Sequence, residues 1–163
     1  MIAAKTILTA GLVAGTLDLA LAIIFFAVQG APLTAVPHAI AGGLLGARAF
    51  RGGAPTAWLG VALQYFIALI VAAVYFLLSR TIKLLNHQPI LSGIVYGLAV
   101  FAVMQDIVVP YSAEPHSNPT VAWLIADILS HVLFVGVTIA LITRRFASRA
   151  GTLGPDKVGP LMT

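Results

Sequence analysis

The sequence of 163 residues contains no cysteine. That absence excludes disulfides, thiolate metal sites and cysteine nucleophiles outright. Charge is nearly as scarce: Asp, Glu, Lys and Arg make up 9% of the chain, against roughly 25% in a soluble domain. Also missing are a phosphate-cradling GxxxxGK[ST] loop, a GxGxxG ahead of a helix, HExxH and GxSxG. No activated nucleophile stands out, so enzymatic activity is the least supported class, and no pattern names a cofactor. The net charge of +4 is no nucleic-acid signal, because the nine basic residues are spread along the chain ends and loops. No nucleic-acid partner is expected.

What the chain has instead is apolar length. It is 60% hydrophobic with a mean hydropathy of +1.04. No soluble fold covers that much apolar surface, so an integral membrane protein is expected, with the lipid bilayer as its first partner. A helix crosses the hydrocarbon core with about 20 apolar residues. Four segments meet that test: Thr6–Val28, Thr56–Ser79, Ile90–Val109 and Val121–Thr143. The first is longer than the apolar core of a signal peptide and has no clear cleavage site after it, so it reads as a retained helix. Pro55, Pro89 and Pro119 stand at the expected starts of the other three, where a missing N–H costs nothing.

Between the first and second segments, Ala39–Phe50 is too short to span and carries Gly42, Gly43 and Gly46. It reads as a short re-entrant or interfacial helix. The expected fold is therefore all-α: a single transmembrane domain over residues 1–146, built as a four-helix bundle, followed by a flexible cytoplasmic tail over 147–163. Placing both termini in the cytoplasm puts Lys5, Arg80, Lys83, Arg144, Arg145, Arg149 and Lys157 inside and only Arg48 and Arg51 outside. Trp58 and Trp123 then sit near outer helix ends, as interfacial indoles do.

A weak internal similarity pairs Gly11–Gly15 with Gly93–Gly97, and PLTAVPH at Pro32–His38 with PYSAEPH at Pro110–His116. A duplicated helical hairpin is one reading. Chance in a chain rich in Ala, Gly and Pro is the other.

Polar residues inside the apolar segments are few and carry the functional argument, since a charge in hydrocarbon is costly. In the fourth segment, Asp127, Ser130 and His131 share one face by the i, i+3, i+4 rule. In the first, Asp18 lies on a stripe with Gly11, Gly15 and Ala22; in the second, Gln64 lies on a stripe with Gly60, Ala68 and Ala72. At about 1.5 Å of rise per residue, Gln64, Asp18 and Asp127 lie about 12–17 Å from the outer ends, His131 about 18 Å, and Gln105 and Asp106 about 6–8 Å. Asp18, Gln64, Asp127 and His131 are thus expected to form one shared polar centre, open outward. It reads as a proton relay or ligand site, or as a structural hydrogen-bond lock. A metal site would need further ligands such as His38, and the metal is unknown. His38, Arg48, Asp106 and His116 form a secondary outer-side set: histidines paired for sensing or simply in loops, and arginines that meet an anionic ligand or snorkel.

The stretches AGTLDLALAIIFF, IAGGLLGARAF with the following GG, and VVPYSAEP resemble an uncharacterised family of small bacterial inner-membrane proteins over roughly Gly11–Pro115. The resemblance implies a multi-pass protein of the bacterial inner membrane and no particular activity. It departs at Gln64, where the family carries a histidine. Two functions are expected to compete: proton-linked transport or small-ligand binding, and a non-catalytic accessory or scaffold subunit of a larger membrane complex. In either case a homo-oligomer or partner membrane subunits are expected, because four helices enclose little space.

Overall fold

The computed structural model describes residues 2–113 and 119–149. His116 and the end of the second PxxAxPH stretch lie outside the described residues, as does the tail from residue 150. Among the described residues the secondary structure is all helix and connecting turns, with no strand. In chain order they form α1 (Ile2–Ala27), α2 (Ala35–Leu45), a 3-10 turn (Gly46–Arg51), α3 (Gly53–Thr81), the single turn α4 (Leu84–His87), α5 (Pro89–Val103), α6 (Val121–Leu129) and α7 (Thr138–Arg149). A π-helical stretch, Met104–Val108, prolongs α5, and a second, Ser130–Val137, joins α6 to α7. Four helices are long and apolar enough to cross a membrane: Ile2–Ala27, Gly53–Thr81, Pro89–Val108 and Val121–Ser148.

These spans overlap the expected ones and differ at their ends. Pro89 opens α5 at its first turn as expected. Pro55 instead falls at the third residue of α3, because Gly52 and Gly53 begin the turn earlier. Pro119 precedes the α6 cap, Thr120, whose hydroxyl accepts from the Trp123 amide at 3.2 Å. The helix α7 runs past the expected domain boundary at 146 to Arg149.

Small residues set the packing. Gly11 and Gly15 of α1 face Leu69, Ala68 and Tyr65 of α3, so the two backbones approach closely. Gly93 and Gly97 of α5 lie against Gly136, Val132 and the His131 backbone in the second π stretch; a Cβ on Gly136 would fall on the Gly93 carbonyl. Gly60 of α3 lies beneath the Pro37 carbonyl, which seats α2 on α3. The expected small-residue stripes are therefore the contact faces. At one end of the bundle Ala10, Ala14, Ala72, Tyr75, Val135, Ile139 and Ala140 form a closed apolar core. The Tyr96 hydroxyl donates to the Val71 carbonyl at 2.7 Å there, and the Tyr75 and Tyr96 rings meet edge to face at 5.0 Å.

Candidate functional site

The other end is hollow. A cavity of about 950 Å³ lies between α1, α3, the α5 extension and α6, with α2 over one side. Asp18, Gln64, Gln105, Asp127, Ser130 and His131 all line it.

Two linked carboxylates form its polar part. Asp18 accepts from Gln64 Nε2 at 2.8 Å and from Ser130 Oγ at 2.5 Å, which ties α1 to α3 and to the fourth span. Asp127, itself only 7% exposed, accepts from Gln105 Nε2 at 2.8 Å, tying the fourth span to the α5 extension. His131 Nδ1 lies 3.1 Å from Asp127 Oδ1 and 2.9 Å from the Asp127 carbonyl. Both neighbours are acceptors, so Nδ1 carries a proton and Nε2 is left as the exchangeable nitrogen. The Phe101 ring meets the imidazole edge to face at 5.6 Å. Each carboxylate thus accepts from two side chains, and burial makes such satisfaction necessary.

The chain folds this way locally for identifiable reasons. Asp18 sits one turn beyond Gly15, which lies against Ala68 and Tyr65 of α3, so it reaches Gln64 directly. The fourth span turns from α to π at Ser130, beside the tight Gly97–His131 contact. The α5 extension is π-helical from Met104, and its Val109 amide bonds the Met104 carbonyl at 2.8 Å. Wide turns of this kind recur at functional sites, and here both carry members of the polar centre.

The four expected centre residues are therefore brought to one cavity, with Asp18 bonded to Gln64 and Ser130 rather than to His131. Gln105 and Ser130 also belong to the centre, and the sequence pattern alone assigns them no role. No sequence signal points to Gln105: its expected depth is shallower than that of Asp127, and the two meet through the π-helical extension of α5. Of the secondary outer set, His38, Arg48 and Asp106 do not line the cavity. His38 Nε2 bonds the Gly53 carbonyl at 2.9 Å, which ties α2 to the start of α3. Arg48 and Asp106 are exposed and off the cavity. Trp123 is not a free interfacial indole like the exposed Trp58: its ring packs 4.7 Å from Phe26 and 5.1 Å from Phe25 and walls the cavity. Among the described residues no three His, Asp or Glu side chains converge as metal ligands would.

Compared with protein-family models, with curated proteins and with solved structures, the chain has no match in any of the three.

Proposed function

We propose that this is a multi-pass membrane protein of the bacterial inner membrane that binds a small molecule in its cavity and links binding or passage to protons at the Asp18–Asp127–His131 centre. The observation that carries the reading is the cavity itself. A structural lock needs hydrogen-bonded polar groups but no space beside them, whereas these groups border about 950 Å³, near the upper end for small-molecule pockets. His131 supplies a ring nitrogen, Nε2, that is left to take and release a proton. With both termini cytoplasmic, Lys5, Arg80, Lys83, Arg144 and Arg145 lie inside, and the cavity opens on the opposite side.

The scaffold reading calls for a broad outward face of Ala and Gly. Large residues dominate outside, among them Leu12, Leu17, Phe66, Ile70, Leu77 and Val95, while Ala10, Ala14, Ala68, Ala72, Gly93 and Gly97 are buried inside. That pattern favours lipid around the bundle. The short α2 and its 3-10 turn then lie at the outer interface.

The test is flux of protons into proteoliposomes under an imposed pH gradient, comparing wild type, Asp18→Asn and His131→Ala. Wild type is expected to dissipate the gradient faster than empty vesicles, and each variant to lose at least tenfold of that excess. Equal rates in all three, at the level of empty vesicles, overturn the transport reading.

A further inference from the structure

We infer that the ligand of this cavity is an organic monocation with a bulky apolar body, such as a lipophilic ammonium or phosphonium ion; this rests on the binding function proposed above and names its substrate class.

Three features of the cavity converge on that chemistry. The first is charge. Two of the chain's five acidic residues, Asp18 and Asp127, line the cavity, and none of the lysines and arginines among the described residues does. The groups bonded to the carboxylates are two amides, a hydroxyl and one imidazole. Even with His131 protonated, two carboxylates against one imidazolium leave a negative charge without a counter-charge. An anionic ligand would meet repulsion at the closed end, and a neutral one would leave the charge buried and unpaired. A monocation balances it.

The second is the wall. Phe26 and Trp123 line the cavity nearer its mouth, with Phe25 against the same indole. Aromatic faces pack on the rings or chains attached to a cation, and Trp123, one turn from Asp127, is the ring near enough to face the charge itself. The third is spacing. Phe26 is two turns beyond Asp18, about 12 Å along the helix, and Trp123 is one turn before Asp127, about 6 Å. Leu63, Ile67 and Ile40 line the space between. A small inorganic cation would leave that apolar volume empty. A cation with attached rings or chains fills it while its charge stays near the carboxylates.

The experiment measures equilibrium binding to the purified full chain of two probes of nearly equal shape and opposite charge, tetraphenylphosphonium and tetraphenylborate. The phosphonium is expected to bind saturably, at least tenfold more tightly than the borate. Asp18→Asn and Asp127→Asn should each weaken it at least tenfold, and Trp123→Ala at least threefold. Asp106→Asn, which removes an acid outside the cavity, should leave it unchanged. Because a buried Asp variant can fail to fold, Trp123→Ala at the mouth serves as the second variant, with helicity checked by circular dichroism. Equal binding of both probes, or phosphonium binding indifferent to Asp18→Asn, Asp127→Asn and Trp123→Ala alike, overturns the inference. Asp18-dependent proton flux without phosphonium binding overturns the inference and leaves the proposed function standing. Absence of both binding and flux overturns the two together.

Discussion

The two ends of this bundle are built from the same helices and solve opposite problems. At the end bearing Lys5, Arg80 and Arg144, glycines and alanines let the backbones touch, and Ala10, Ala72, Ile139 and Tyr75 close the interior. At the other end the helices stand apart around about 950 Å³, held by side-chain hydrogen bonds through Asp18 and Asp127. In hydrocarbon the first arrangement draws on dispersion and close packing, which need no specific partner. The second depends on a few polar groups, each of which must keep its partners. Close packing at one end and open volume at the other is the division that the proposed binding of a ligand calls for.

The sharpest way to break the comparison is to force the closed end open. Gly136 has no room for a side chain, because the Gly93 carbonyl and the Gly97 backbone occupy the place of its Cβ. Gly136→Ala should therefore cost about 3 kcal/mol, the upper end of overpacking penalties. The loss is read as a lowered midpoint in denaturant titration of the detergent-solubilised protein. A change under about 0.5 kcal/mol, the range of ordinary surface substitutions, would mean the closed end is not close-packed.

A smaller effect is expected where hydrogen bonds rather than contacts hold the helices. Ser130→Ala leaves Asp18 with Gln64 alone and removes the side-chain hydrogen bond between α1 and the fourth span. The expected cost is about 1.5 kcal/mol, typical of a hydrogen bond to a charged group and near the largest seen for helix pairs in membranes. The same titration measures it. If Ser130→Ala costs as much as Gly136→Ala, the two ends do not differ in the way described.

The contrast was half legible in the sequence. Hydropathy placed the four spans, since each crossing needs its own apolar run. The three-and-four spacing put Asp18 among Gly11, Gly15 and Ala22, and grouped Asp127 with Ser130 and His131, because a helix face is a local property. What could not be read was the relation between helices. Gln105 joins Asp127 through a π-helical extension that no 3.6-residue period contains. His38 turns to the Gly53 carbonyl because α2 folds back on α3 through the Gly60–Pro37 contact, a pairing set by a missing side chain. Trp123 follows the general rule for interfacial indoles until Phe25 and Phe26 of another helix come within 5.1 Å and 4.7 Å. The cavity, too, is a remainder between helices, and no residue pattern announces a space.

The smallest expected effect is the most discriminating, because it repeats one chemical change at the opposite end. Gly43 of α2 lines the cavity, and a Cβ there would meet nothing closer than the Ser112 Cβ at 3.8 Å, an ordinary contact. Its carbonyl still accepts from the Ala113 amide at 2.9 Å, a bond that a side chain does not disturb. Gly43→Ala removes backbone freedom from the unfolded chain and improves helix propensity, so it should stabilise by about 0.4–1 kcal/mol. The same substitution then changes sign between Gly136 and Gly43. Helix propensity alone favours both, so only the space around each site separates them. If Gly43→Ala destabilises as Gly136→Ala does, α2 sits tighter on the bundle than an open cavity permits, and the ligand would need α2 to move before it could enter.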